Sequence, residues 1–227
     1  MSIYQELIYF LALIKYTYNN LLLVIRDKQS SDMHFMNVEN QNRLIIFEGL
    51  SCAGKSTLVD HIASINRYIC VARTIPRDLP NPTPEYFMRN DEVKYAAAKN
   101  CPGIVLMDRG FLSTLVFYTV MEEVTPGFSG NKVKRWVEES LGKTIRRPDY
   151  YVYIDIPPEV SKERARQIGR PFDKRNLWMT HTERMKSQYE QYLGGLEADV
   201  PIIRLDGTVS LVSLQDELRK FIATLEK

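Results

Sequence analysis

Residues 44–57 read LIIFEGLSCAGKST. Four consecutive apolar residues, Leu44 to Phe47, have the make-up of a strand buried on both faces. The segment from Gly49 to Ser56 fits the spacing G-x-x-x-x-G-K-[ST]. Gly49 and Gly54 allow backbone angles and close approaches that a side chain would block. Successive N–H groups, including those of Ser51, Ala53 and Thr57, then line a concavity suited to phosphate oxygens. A helix starting near Lys55 adds its positive end to the same place, and Leu58, Val59 and Ile62 give that helix a buried face. Lys55 has the reach for β- and γ-phosphates, and the Ser56 hydroxyl is a ligand for Mg²⁺. The stretch therefore predicts a site for a nucleoside triphosphate, ATP with Mg²⁺, with Cys52 as a small filler in the loop.

Outward from this loop the chain alternates strands and helices. Strands are expected at 43–48, 68–74, 104–107, 150–154 and 202–205, each rich in Ile, Val, Leu or Tyr. Helices are expected at 55–66, from Pro84 to about 100, at 111–123, at 131–141, after Pro158, over 175–196 and over 210–226. Thr83 is suited to cap the helix that Pro84 opens. On the 175–196 helix, Trp178, His181, Met185, Tyr189, Tyr192 and Leu196 share one face. The alternation predicts an α/β domain with a doubly wound, five-stranded parallel sheet covered by helices on both faces.

Three further groups carry chemistry. Asp108 ends an apolar strand, so it reaches the ligand edge of such a sheet as a second Mg²⁺ ligand, with Arg109 projecting into the same crevice. The segment Arg164 to Arg175 is basic and broken by Gly169 and Pro171, which suits a flap whose arginines, Arg164, Arg166 and Arg170, close over transferring phosphates. Arg73 and Arg77 follow the second strand at the same edge and have the chemistry of a phosphate clamp.

The chain has 227 residues with 30 basic and 28 acidic side chains, a formal net charge of +2, which calls for neither nucleic acid nor an anionic membrane as partner. Three cysteines, Cys52, Cys70 and Cys101, make no disulfide framework and show no metal-ligand spacing, which suits a reducing, cytoplasmic setting. Residues 1–42 read as an amino-terminal extension and linker, and 43–227 as the phosphate-loop domain. Within the extension, residues 3–25 are rich in Ile, Leu and Tyr. Three readings stay open for it: an amphipathic helix on the domain or on a membrane surface, a poorly ordered extension with translation starting at Met33 or Met36, and a membrane anchor. The clean apolar run Leu7 to Ile14 is too short to span a bilayer, so no firm membrane association is expected.

The set Phe47-Glu48-Gly49, Gly54-Lys55-Ser56-Thr57, Asp108-Arg109-Gly110 with Ser113-Thr114, Pro148-Asp149-Tyr150 through Asp155, and Pro158-Glu159-Val160 resembles the thymidylate kinase and deoxynucleoside kinase families over about residues 43–226. The resemblance implies the P-loop NTPase fold with an arginine-bearing lid. It implies ATP and Mg²⁺ on Lys55, Ser56 and Thr57, an acceptor phosphate on Arg73 and Arg109, and adenine near Asp206-Gly207-Thr208. Homodimers occur among such kinases. Ser51 stands where the thymidylate kinases carry an aspartate, and the stretch between Thr57 and Asp108 is short. Two acceptors remain in view. A nucleoside monophosphate is already anionic and needs clamps such as Arg73, Arg77 and Arg109. A nucleoside hydroxyl needs a base, which the likeness to deoxynucleoside kinases assigns to Glu48. Another small alcohol as acceptor, or a nucleotide-binding regulator with little transfer activity, is the remaining alternative.

Overall fold

The computed structural model describes residues 42–66, 69–72, 83–170 and 176–225, all within the unit Asn40–Lys227. Strand β1 (Arg43–Glu48) is central in a five-stranded sheet with β2 (Ile69–Ala72), β3 (Ile104–Asp108), β4 (Tyr150–Asp155) and β5 (Ile202–Asp206), in the order β2-β3-β1-β4-β5. Every pairing is parallel. Leu44, Ile45, Ile46 and Phe47 are fully buried, which requires helices over both faces.

The register decides what meets at the carboxyl edge. Phe47 lies opposite Asp108, Glu48 opposite Tyr153, and Asp155 opposite Asp206. The chain crosses β1 between β3 and β4, so the ends of β3, β1 and β4 stand side by side where open α/β sheets bind ligands.

The helices are α1 (Lys55–Ile65), α2 (Pro84–Lys99), α3 (Phe111–Val124), α4 (Gly130–Ser140), α5 (Pro158–Gln167), α6 (Leu177–Thr180), α7 (Thr182–Leu196) and α8 (Leu211–Leu225). They form two groups: α1 packs on α8, while α3 packs on α2, α4 and α7. Leu58, Val59 and Ile62 of α1 and Leu214, Leu218 and Ile222 of α8 are buried, the stripes their spacing predicts. Thr83 caps α2 through a hydrogen bond from Tyr86 N, with Pro84 in the first turn. A small aromatic core of Tyr118 and Met88, with Phe87, Phe117 and Phe128 against it, joins α2 to α3 and the loop before α4.

One expectation is described only in part, and one changes. The second strand, expected over 68–74, is described as Ile69–Ala72, and the flanking residues 67–68 and 73–82 lie outside the described residues. The single helix expected over 175–196 is two, because His181 leaves helical geometry at φ −118°, ψ 34°. The Thr182 hydroxyl donates to the carbonyls of Trp178 (3.1 Å) and Met179 (2.9 Å), a side-chain substitute for the interrupted ladder.

Gly49 begins the phosphate loop at φ 134°, and a Cβ there would meet the Ile154 carbonyl oxygen of β4 at 2.5 Å. At Gly54, with φ 98°, a Cβ would meet nothing within 4 Å. Gly49→Ala therefore combines backbone strain with a main-chain clash. It should cost about 2–3 kcal/mol, a fall in melting temperature of about 5–10 °C. Gly54→Ala should cost less. Thermal denaturation checks the ranking, and equal melting temperatures for the two variants would contradict it.

Candidate active site

After β1 the chain turns through Gly49, Cys52 (φ 59°) and Gly54 (φ 98°) before α1 begins at Lys55. These positive angles fold the loop around the end of α1, so the lysine side chain lies back along it. Lys55 Nζ donates to the carbonyls of Gly49 (3.0 Å) and Leu50 (2.6 Å) and is 5% exposed. Burial, reinforced by the nearby Arg109 charge and opposed by Asp108 and Glu48, lowers its pKa to about 7. The next residue, Ser56, donates its hydroxyl to the Asp108 carboxylate at the end of β3. A hydroxyl oxygen and a carboxylate oxygen thus converge at the mouth of the loop, a donor pair that fits a hard divalent cation. Among the described residues, no cluster of three or more His, Cys, Asp or Glu could hold a metal by itself.

Helix α5 braces the loop from the other side. Ser161 Oγ donates to the Ser51 carbonyl (2.7 Å), and Arg170 Nη1 donates to Ser51 Oγ (2.9 Å). Arg164 reaches the carbonyls of Cys52 (3.5 Å) and Gly207 (2.8 Å), tying the loop to the turn after β5. Ala53 is buried beneath the loop, while Ser56 and Thr57 are exposed. Of the three arginines expected in a flap, Arg164 and Arg170 meet the loop, whereas Arg166 pairs with Glu163 on the surface (3.1 Å). Asp206 lies at the end of β5, where its carboxylate accepts from the Thr208 hydroxyl (2.6 Å) and amide (2.9 Å); these bonds hold its pKa below the usual value. Asp206 also lines a cavity of about 590 Å³ with Asp155, Pro157, Lys186 and Arg204. Arg73 and Arg77 lie outside the described residues, as do residues 171–175.

The second half of the site is a buried network around Glu48. Glu48 is fully buried at the end of β1. Oε1 accepts from Gly110 N (2.9 Å), and Oε2 accepts from the hydroxyls of Ser113 and Tyr189 (3.1 Å for the latter). Burial raises its pKa, opposed by the Arg109 charge and by the bonds from Ser113 and Gly110. Arg109 Nη1 donates to Ser113 Oγ (3.0 Å) and to Tyr189 OH (3.0 Å). Its guanidinium lies 4.5 Å from the centre of the Trp178 ring, a cation–π distance. Burial disfavours the Arg109 charge, but Tyr189, Glu48 and Asp108 outweigh it, and its pKa is raised. The arginine is held ionised at the crevice through two shared hydroxyls.

Sequence reasoning gave no role to Ser113, Tyr189 or Trp178. Tyr189 and Trp178 were expected only to share one helix face, because helical periodicity reports which way a side chain points and says nothing of what its hydroxyl or ring face meets. Their rings do pack inward, stacked at 6.3 Å, and their polar edge and π-face serve Arg109. Ser113 was visible only as part of the pattern following Asp108-Arg109; because Arg109 precedes α3 in a left-handed conformation, helical spacing gives no signal for the contact.

A family model for the deoxynucleoside kinases matches residues 84–227. A probable thymidylate kinase of Archaeoglobus fulgidus is 24% identical over 203 residues, covering 79% of this chain and 94% of that protein. A deoxyadenosine kinase of Dictyostelium discoideum is 26% identical over 68 residues, 30% of this chain and 27% of that protein. Among solved structures, deoxyadenosine kinase from M. mycoides superposes with a TM-score of 0.64 at 16% identity, over 80% of this chain and 99% of that one. Thymidylate kinase from Candida albicans gives 0.64 at 15% identity, over 81% and 92%. At these identities the superpositions establish the fold, that of the P-loop kinases. The family match covers more than half of the sequence and includes Asp108, Arg109 and the arginines of α5, so the chain belongs to the deoxynucleoside kinase family.

Proposed function

We propose that this kinase transfers the terminal phosphoryl group of ATP to a nucleoside monophosphate. The observation that carries the choice of acceptor is the state of Glu48. A general base toward a sugar hydroxyl must present a free carboxylate oxygen to substrate. Both oxygens of Glu48 are occupied from within the protein, and the side chain is fully buried. Its partners, Ser113 and Tyr189, are the groups that orient Arg109. Glu48 therefore serves an arginine, and an arginine suits an acceptor that is already an anion. The longer likeness to a probable thymidylate kinase, across 79% of the chain, supports the same direction.

In this reading the amides of Gly49 to Thr57, including Ser51, Ala53 and Gly54, wrap the phosphates of ATP, with Lys55 on the β- and γ-oxygens. Ser56 and Asp108 would hold Mg²⁺, which when bound would supply positive charge to offset that of the phosphates. Arg109 orients the acceptor phosphate, with Arg73 and Arg77 as further clamps. Arg164 and Asp206 border the nucleoside end of ATP. Arg166 and Arg170 belong to the lid. Transfer then needs alignment and charge more than covalent chemistry from the protein.

The depressed Lys55 pKa makes a separate expectation. At pH 8 a group with a pKa of about 7 is mostly neutral, and bound phosphates restore its charge. Binding of ATP at pH 8 should take up roughly one proton, and apparent affinity should fall as pH rises above 7. Calorimetry in two buffers of different ionisation enthalpy measures the uptake. None would mean that Lys55 is already charged in the free enzyme.

The acceptor is tested by coupled ADP release across nucleosides and nucleoside monophosphates. A monophosphate should accelerate release at least about tenfold over ATP alone. Acceleration by nucleosides and not by monophosphates would overturn the proposal in favour of hydroxyl chemistry. Slow hydrolysis whatever is added would favour a regulator.

A further inference from the structure

Arg109 is one of two residues other than glycine with positive φ among the described residues, at 63°. A left-handed conformation is unfavourable for an arginine and persists only where its surroundings fix it. Its peptide groups are tied on three sides. The Arg109 amide donates to the Phe47 carbonyl (3.0 Å), and the Gly110 amide donates to Glu48 Oε1 (2.9 Å). The third tie comes from a different layer: Lys94 Nζ of α2 donates to the Arg109 carbonyl (2.6 Å). Lys94 is 2% exposed and paired with Asp91 Oδ1 (2.8 Å), itself 2% exposed. Thr114 of α3 donates to the other oxygen, Asp91 Oδ2 (2.6 Å).

We propose that Asp91, Lys94 and Thr114 form a buried strut that sets the main chain of Arg109 and so aims its guanidinium at the acceptor. The inference rests on the role given to Arg109 above. A buried ion pair is a poor way to hold α2 against α3, since apolar residues of similar size do this as well or better. What apolar residues cannot do is donate to a peptide carbonyl. The lysine ammonium has three donors, and one is spent on the residue that carries the arginine. Asp91 keeps that ammonium charged and in place, and Thr114 keeps Asp91 in place. These are positioning residues: none is expected to touch substrate.

The test uses the full chain with Asp91→Leu, Lys94→Met and Thr114→Val combined, which removes the strut without leaving a buried charge alone. Melting temperature should stay within a few degrees. Amide hydrogen exchange at Arg109 and Gly110 should quicken at least about tenfold while β1 keeps its protection. With thymidine monophosphate as the acceptor probe, its KM should rise or kcat fall about tenfold, with ATP affinity within about twofold. Unchanged exchange at both amides overturns the strut. If the triple variant does not fold, Thr114→Val alone should show the same exchange change at smaller amplitude, and its absence overturns the strut equally. Quickened exchange with normal transfer in both the triple variant and Arg109→Ala overturns the role of Arg109 itself. Normal transfer in the triple variant beside a damaged Arg109→Ala overturns the strut alone.

Discussion

Lys55→Met should reduce phosphoryl transfer by about 10³-fold and leave the domain folded. Lys55 is buried, yet among the described residues it donates to two carbonyl oxygens and to no carboxylate. Its lowered pKa says that burial works against the charge. Methionine keeps the length and the apolar stem, loses two hydrogen bonds and removes the desolvated ammonium. The two effects oppose each other, so the melting temperature should move by no more than about 5 °C. A charge held at a cost to the fold and needed at the site is what a trade between stability and activity predicts. The check is a melting curve beside an ADP-release assay on the same preparation. Full turnover by this variant would remove Lys55 from the reaction.

Arg109→Ala should raise the acceptor KM, lower kcat or both, by about 10²-fold in kcat/KM, while ATP affinity stays within a few fold. The guanidinium contacts Ser113 of α3, the face of Trp178 on α6 and Tyr189 of α7, and acts on Lys55 through its charge. A collapse of ATP binding would contradict this placement. The variant also carries a signature in pH. Arg109 is the strongest influence opposing the burial of Glu48, so its loss pushes the Glu48 pKa further above the unfolded value. A carboxyl with a raised folded pKa binds its proton more tightly in the native state, so stability falls as pH rises through that range. Arg109→Ala should therefore lose stability more steeply than the parent chain as pH rises above the ordinary carboxylate range, measured by denaturant unfolding at several pH values. Parallel curves would mean that Glu48 does not feel Arg109.

The strands and the phosphate loop were legible because their determinants are local. Four apolar residues before Gly49 dictate a doubly buried strand, and Gly49 and Gly54 dictate the turn. The same holds for Asp108, whose place at the end of an apolar run put it at the carboxyl edge beside Ser56. The break at His181 was not legible, since its neighbours continue the helical stripe and the interruption depends on where α6 and α7 must each pack. Nor was the aim of Arg109. Its backbone angle is imposed by Phe47, Glu48 and Lys94, which lie 62, 61 and 15 positions away in the sequence. Asp91 and Lys94 at a spacing of three look like any surface pair on a helix; only the fold shows them 2% exposed. Glu48 offered two readings from sequence, base or organiser, and the bonds from Ser113 and Tyr189 to its carboxylate are what the proposal of an organiser rests on.

In the proposed reaction residues 49–57 wrap the phosphate tail of ATP with Lys55 as their counter-charge. A crystal structure with Mg²⁺ and a non-hydrolysable ATP analogue tests it most directly. Lys55 Nζ should leave the Gly49 and Leu50 carbonyls, where it now donates at 3.0 and 2.6 Å, and turn to the β- and γ-phosphate oxygens. Ser56 and Asp108 should part to admit the metal. Nucleotide bound elsewhere, with the loop empty and Lys55 still on its two carbonyls, would contradict the account.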